Sequence, residues 1–478
     1  DELNAGEARF HKITLEDRNL PEIANRRVLK PRSAAAAKTF NEGVDSALRL
    51  RQPVLETLLA GHYTVADFRK VYPFSPALID ALVAVSSVLQ RERTALKLLL
   101  QLLVDKRHEL ALGDIVPVGD LFDVISDGDD PFSEAMKVHY ENARRLWQTK
   151  LQPLLERETG VNRDDIAAGR ADPARATAFR NDGRILKTLL LAALVPEVKP
   201  LKDLTPARIA ALNHGTIISP IPGREAHEVL RRCQRWAAEV GEIKLSGDPS
   251  APVISIHITG VDTSGIIANG ERYDNEGNRR AKVRDILYRE VGVSGGESFF
   301  ASKKVIWRGS ERRVEVCYDN VREMSDDRLQ GRNENDGWTV VIDFPFDQAS
   351  YGPSSDIAKI EGFLGRHPEG AGTLVWLPSF LSARALEDLK KLVILDHLLA
   401  GDRFDQAAGH LSQIDRVQAR DLLRNQRDQL EQAVRMALEQ AYGIRDDLPS
   451  MVDDGFPLNE HWHSLDRTFA PRPPVGAN

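Results

Sequence analysis

Apolar residues recur at helical spacing through Val44–Leu59 and again through Pro76–Val104, which predicts a helical region over residues 33–110, broken where Pro73 and Pro76 fall. Ahead of it, His11 to Leu15 alternates like a short strand. Asn19-Leu-Pro-Glu22 then reads as an N-cap with proline in the first turn, opening a helix that continues through Ile23–Leu29. Leu121–Glu158 gives more helix around an Asp/Gly loop at Asp127–Asp130. Residues 160–181, rich in Ala, Arg and Asp, predict a polar surface excursion.

The pattern changes over residues 184–260. Arg184–Leu194, Thr205–Leu212 and Arg224–Val240 read as three helices, and Glu242–Leu245 and Val253–Ile258 as strands joined by Ser246-Gly-Asp-Pro-Ser250. Three helices followed by a hairpin is the order of a winged helix. The third helix places Ala226, Val229, Leu230, Cys233, Trp236, Ala237 and Val240 on one face and Arg224, Arg231 and Arg235 on another.

Residues 263–400 predict an α/β unit, with strands at Lys303–Trp307, Arg313–Tyr318, Trp338–Phe344 and Thr373–Leu377 and helices at Arg279–Tyr288, Ser355–Leu364 and Ala383–Leu399. Residues 402–442 carry a coiled-coil-like stripe of Leu422, Leu423, Gln426, Leu430, Val434, Ala437, Leu438 and Ala441. From Gly443 the chain turns polar, like a linker.

Composition narrows the picture little. In 478 residues, 42% are hydrophobic and 28% charged, an ordinary globular balance, and the net charge of -7 leaves any nucleic-acid argument to local patches. Cys233 and Cys317 have no CxxC partner, which argues against a disulfide framework or zinc ribbon and suits a reducing cytoplasm. No apolar run reaches the roughly 18 residues of a membrane span. The chain opens at Asp1-Glu-Leu3 without methionine and ends in Ala470-Pro-Arg-Pro-Pro-Val475, which reads as two cuts in a longer protein. No Gly-Lys dipeptide occurs, so the phosphate-cradling Gly-x-x-x-x-Gly-Lys-Ser/Thr loop is missing from this sequence.

Several motifs carry a resemblance. Ala8-Arg-Phe-His-Lys-Ile-Thr-Leu15 and Asn19–Lys30, with its Arg27-Val-Leu29, resemble the last core strand and first lid helix of an AAA+ ATPase. Tyr72-Pro-Phe-Ser-Pro-Ala-Leu-Ile79 and Leu89-Gln-Arg-Glu-Arg-Thr-Ala-Leu96 resemble the lid of large defence ATPases, which commonly read Tyr-Pro-Phe-His-Pro where Ser75 stands here. Farther on, similar stretches are Pro117-Val-Gly-Asp-Leu-Phe-Asp-Val-Ile125, Lys187-Thr-Leu-Leu-Leu-Ala-Ala-Leu-Val-Pro196, Leu212-Asn-His-Gly215, Trp307-Arg-Gly-Ser-Glu-Arg312, Asp343-Phe-Pro-Phe-Asp347, Trp376-Leu-Pro-Ser-Phe380 and Ala419-Arg-Asp-Leu-Leu-Arg-Asn-Gln426. They resemble the PglY-type ATPases of BREX and phage growth limitation systems, relatives of BrxC.

The resemblance implies a mixed α and α/β multidomain fold: the end of an AAA+ core and first lid helix over 1–32, helical lid and extension over 33–183, winged helix over 184–262, incomplete α/β unit over 263–400, helical arm over 401–445 and linker over 446–478. It implies ATP and Mg²⁺ for the parent protein and none for this piece alone. It also implies other defence-system proteins as partners, DNA as a possible one, no membrane, and self-association through AAA+ subunits. Arg9 then stands where a neighbour-facing arginine would stabilise a transferring phosphoryl group, and Arg91 and Arg93 where a sensor pair would lie. The alternative for all three is surface ion pairing or helix capping.

Two basic patches are candidates for DNA phosphates. One is the third-helix stripe of Arg224, Arg231, Arg232 and Arg235. The other runs from Arg279 to Arg313, with ten Lys/Arg against four Asp/Glu, and includes Arg279, Arg280, Lys282, Arg284, Lys303 and Lys304. The alternative is a solvated helix face packed within the parent protein. Val340-Val-Ile-Asp-Phe-Pro-Phe-Asp347 imitates a strand ending in a metal-binding Asp, but without a phosphate loop it reads better as a structural α/β unit. His461-Trp-His463 has no further ligand in reach. The function expected is a fragment of a phage-defence ATPase that couples ATP hydrolysis to a DNA-directed complex. The rival is a non-enzymatic scaffold that binds only protein.

Overall fold

A computed structural model describes residues 20–29, 31–88, 95–126, 134–294, 300–307, 310–331, 338–348, 350–368 and 372–444. The strand expected at His11–Leu15, the linker after Gly443 and its His461-Trp-His463 lie outside them, apart from Ile444. The fold is mixed and multidomain, mostly helical with two small sheets. It divides into two compact units at Val261/Asp262. Among the described residues no helix is long and apolar enough to cross a membrane.

The first unit begins with α1 (Leu20–Arg27), α2 (Ala34–Ala47), α3 (Gln52–Leu58), α4 (Val65–Val71), α5 (Pro76–Val88) and α6 (Ala95–Lys106). Local chemistry sets these limits. Ser33 caps α2, Thr64 and Asp67 form a capping box on α4, and Pro53 opens α3. Ser75 is fully buried and accepts from Leu78 N at 3.2 Å. Here it serves the first turn of α5.

A 3₁₀ turn at Val118–Asp120 leads into α7 (Leu121–Ser126), followed by α8 (Glu134–Leu146), a π turn at Trp147–Leu151, α9 (Gln152–Thr159) and α10 (Arg163–Ala167). Residues 162–175 lie largely at the surface, as expected, but a long helix with a buried face opens within the segment. Asp172 accepts from Arg175 N at 2.9 Å, Pro173 occupies the first turn, and α11 runs unbroken from Pro173 to Leu194. Ala176 and Phe179 are buried among its polar neighbours, so the amphipathic face begins inside a segment whose composition looks solvated. Capping outweighed composition.

Next come α12 (Pro206–Leu212), α13 (Glu225–Glu239) and an antiparallel hairpin of β1 (Ile243–Ser246) and β2 (Val253–Ile256), with Ile243 opposite Ile256. Gly247, at φ 90°, makes the hairpin's left-handed turn. The Ile254 amide donates to Leu204 O at 2.8 Å, so the segment before α12 borders the hairpin as well. Val229, Cys233, Trp236, Ala237 and Val240 are all buried, as the periodicity of α13 requires.

The second unit contains α14 (Ser264–Gly270), α15 (Glu276–Glu290), β3 (Phe300–Trp307), β4 (Ser310–Tyr318), α16 (Asp326–Gln330), β5 (Trp338–Ile342), α17 (Pro353–Arg366), β6 (Thr373–Trp376), α18 (Ala383–Leu399), α19 (Arg403–Ala407) and α20 (Gln413–Tyr442). The sheet order is β3-β4-β5-β6, antiparallel at the first pair and parallel at the other two. Val321, Met324, Leu329, Val341 and Phe363 form a core cluster on one side. In α20, Leu422, Leu423, Gln426, Leu430, Val434 and Leu438 are buried as expected, while Ala437 and Ala441 are half-buried, and the helix packs along α18. Ser412 caps α20, and Gly443, at φ 66°, ends it.

Candidate functional site

Arg9, Arg91 and Arg93, the three arginines expected near nucleotide, lie outside the described residues. The ten basic residues expected near DNA are described, and their surroundings differ sharply from a bare basic stripe. In α13, Arg224 stands exposed at the N-cap, and the exposed Arg231 pairs with Glu228 at 2.7 Å. Arg232 turns inward to Asp182 at 2.5 Å, both side chains largely buried. Arg235 holds Glu158 at 2.7 Å, and Trp236 Nε1 donates to the same carboxylate at 2.9 Å. Burial pushes the Asp182 carboxyl up to about 6 despite the opposing charge of Arg232. This pair is a packed element of the first unit.

The second patch is neutralised in the same way. Arg279 makes a bidentate contact with Asp274, both bonds at 2.6 Å, and Arg280 pairs with Glu276 one helical turn before it. Lys282 reaches Asp396 at 2.6 Å. Arg284 is only 4% exposed and lies on Asp285, Lys303 donates to Val291 O, and Lys304 pairs with Glu311 on the surface. Carboxylates from Asp274, Glu276 and Asp396, outside the counted run, pair with its cations, as do acids within it.

Several motifs that carry the resemblance meet one another through internal contacts. Gly119 sits so close to α11 that a Cβ there would lie 2.2 Å from Arg184 O. Its N–H points to Asn213 Oδ1 at 3.4 Å, and Asn213 Nδ2 donates to Thr188 Oγ1 at 2.9 Å and to Ile209 O at 3.0 Å. Arg184 clasps the buried Asp120 at 2.8 and 3.1 Å, with Lys106 at 3.3 Å, and Lys187 pairs with Asp123 at 2.6 Å. Stretches 117–125, 187–196 and 212–215 thus meet in one buried polar junction. Nothing in their separate spacing announces that they meet.

In the second unit, Asp343-Phe-Pro-Phe-Asp347 follows β5, and both of its carboxylates are engaged within the protein. Among the described residues no group of three or more His, Cys, Asp or Glu is arranged to hold a metal ion. Asp347 binds Arg322 at 2.5 Å and accepts from Asn320 at 2.9 Å, while Arg322 also reaches Asp356 at 3.4 Å and lies over Tyr351. Asp343 accepts from Val321 N at 3.0 Å, and its carbonyl accepts from Tyr442 OH. Trp376 Nε1 donates to Tyr442 O at 3.0 Å. These bonds tie the ends of β5 and β6 to the C-terminus of α20.

Burial pushes the Asp343 carboxyl up to about 7, against the lowering effect of the Val321 N–H. A carboxyl raised from its unfolded value near ~4 keeps its proton longer in the folded state, so its contribution to stability is complete below about pH 4 and is lost as pH rises towards 7. Asp343→Asn retains an acceptor for Val321 but cannot ionise. Urea titrations from pH 4 to 8 are expected to show a flatter decline for the variant than for the parent chain. An identical decline would show that Asp343 does not titrate in this window.

The sequence also gave no warning of a cleft of about 750 Å³ in the first unit, between α3, α12 and the loop before α13. Its lining includes Arg51, Lys199, Arg208 and His214, drawn from separate segments.

Residues 21–249 match the family model described as BREX System ATPase PglY protein 2nd domain, and residues 266–478 match the one described as PglY fourth domain. No solved structure matches the chain. Two matched domains, spanning most of the sequence, place it among the components of BREX phage-defence systems. The chain belongs to the PglY family.

Proposed function

We propose that this chain supplies partner-docking and force-relaying parts of a PglY-type phage-defence protein, with ATP and Mg²⁺ handled elsewhere in that protein. The observation that carries this reading is the internal pairing of its basic residues. Of the ten expected near DNA, Arg224 alone has neither a carboxylate nor a carbonyl partner among the described residues, and Arg231 and Lys304 sit in exposed pairs of little energetic weight. Buried polar pairs such as Arg232 with Asp182 rigidify a unit that other proteins can grip.

One observation favours the second reading, DNA contact. Helices α11, α12 and α13 and the β1–β2 hairpin follow one another in winged-helix order, with the segment at Leu204 bordering the hairpin. In that reading Arg224, and Arg231 once it leaves its exposed pair with Glu228, reach phosphates.

Gel filtration of the chain with each other protein of its defence system, run beside a duplex-DNA anisotropy titration, separates the two. A stable protein complex, with no DNA binding tighter than about 10 µM at low salt, is expected. Micromolar DNA binding that weakens steeply with salt and disappears in Arg224→Glu/Arg231→Glu, with no protein complex, would overturn the docking reading.

A further inference from the structure

The cleft in the first unit is built unlike the rest of its surroundings. Pro53, Val54, Pro200, Ala210 and Ile217 give it apolar walls, and its volume of about 750 Å³ is that of a small-molecule site. Its two carboxylates are already engaged. Glu225 accepts from Arg51 at 2.6 Å and from Gly223 N at 3.0 Å, and Glu56 accepts from Gln52 at 2.8 Å.

Two cations in the lining are not so engaged. Arg208 donates through Nη2 to the carbonyls of Lys199 and Pro200 at 3.1 and 3.2 Å, and its buried Nε has no partner. Among the described residues no carboxylate pairs with it, whereas Arg51, Arg184, Arg232 and Arg235 in the same unit each have one. Lys199 is exposed and forms no ion pair among the described residues. Asp80, which feels the charge of Lys199, accepts from Tyr63 at 2.9 Å and faces His62. His214 is half-buried in the same lining, with no side-chain partner among the described residues, and burial favours its neutral form. A neutral imidazole can both donate and accept.

We infer that this cleft binds a small organic anion, an apolar and preferably flat body bearing one carboxylate or phosphate. The body lies against the Pro53, Val54, Ala210 and Ile217 walls. The anionic group meets Lys199 and the Arg208 guanidinium, two cations without a carboxylate partner among the described residues. His214 sets orientation through a single bond. Arg51 stays with Glu225 and closes the far side.

The test uses the full chain and the fluorescent aromatic sulfonate anilinonaphthalene sulfonate as probe. Saturable enhancement at one site per chain is expected, with displacement by adenosine monophosphate if the site prefers phosphate or by indole acetate if it prefers carboxylate. Lys199→Glu, an exposed change that leaves the core untouched, should weaken the probe about tenfold or more, and Arg208→Gln should do the same. Ala210→Trp should abolish binding by filling the cleft, and Lys202→Glu, outside the lining, should leave it unchanged. Circular dichroism melts confirm that each variant is folded. No saturable binding by the parent chain, or binding indifferent to Lys199→Glu and Ala210→Trp in folded protein, overturns the assignment. Displacement by inorganic phosphate as effective as by either organic anion also overturns it, because the apolar walls would then contribute nothing.

Discussion

Gly119→Ala is expected to cost the first unit about 3 kcal/mol or more, enough to prevent folding in a marginal background. The added methyl would meet the Arg184 carbonyl oxygen at 2.2 Å and its Cα at 2.8 Å. Both contacts are to helix backbone, which cannot swing aside as a side chain could. Relief requires the 3₁₀ turn to move away from α11. That movement lengthens the Gly119 N–H contact to Asn213 and pulls Asp120 from Arg184, leaving a carboxylate that is 2% exposed without its bidentate partner. A urea titration followed by tryptophan fluorescence checks the loss. A variant as stable as the parent chain would mean that the close approach at Gly119 is not a feature of the folded protein.

Much of the secondary structure was legible because its signals are local. Ser382 and Ser412 as caps and the leucine spacing of α18 and α20 can be read within a dozen residues, and the expected Ala383–Leu399 helix coincides with α18. The strands of the second unit were legible for the same reason, β5 and β6 as near-continuous apolar runs. The start of α11 was misread because Ala, Arg and Asp dominate its first turns, and their solvated look hid the cap at Asp172 and the buried Phe179. The family was legible in short motifs, but their roles were not. Gly119, Thr188 and Asn213 are far apart in sequence and meaningful only once α11 and α12 bring them together.

The basic stripes show the same limit from the other side. Counting charge along the chain recorded Arg232 and Arg235 as candidates for phosphate, since helical spacing places them off the face of Cys233 and Val229. It could not show that α9 and α11 supply Glu158 and Asp182 against them. The cleft around Arg208 was invisible for a related reason, because its lining comes from segments near residues 51–61, 199–217 and 223–226. A cavity has no sequence signature when no single segment builds it.

Arg232→Glu tests most directly whether the arginines of α13 are structural. The substitution sets a second carboxylate against Asp182, whose side chain is 11% exposed, and removes the cation held at 2.5 Å. Breaking a buried pair of this kind costs about 3–5 kcal/mol, and charge reversal belongs at the upper end. The measurement is a urea titration of Arg232→Glu beside the parent chain, paired with duplex-DNA anisotropy on the same two samples. The account predicts a large drop in the urea midpoint with no DNA binding by either protein. Parent-like stability in Arg232→Glu, together with micromolar DNA binding by the parent chain that the variant loses, would contradict it.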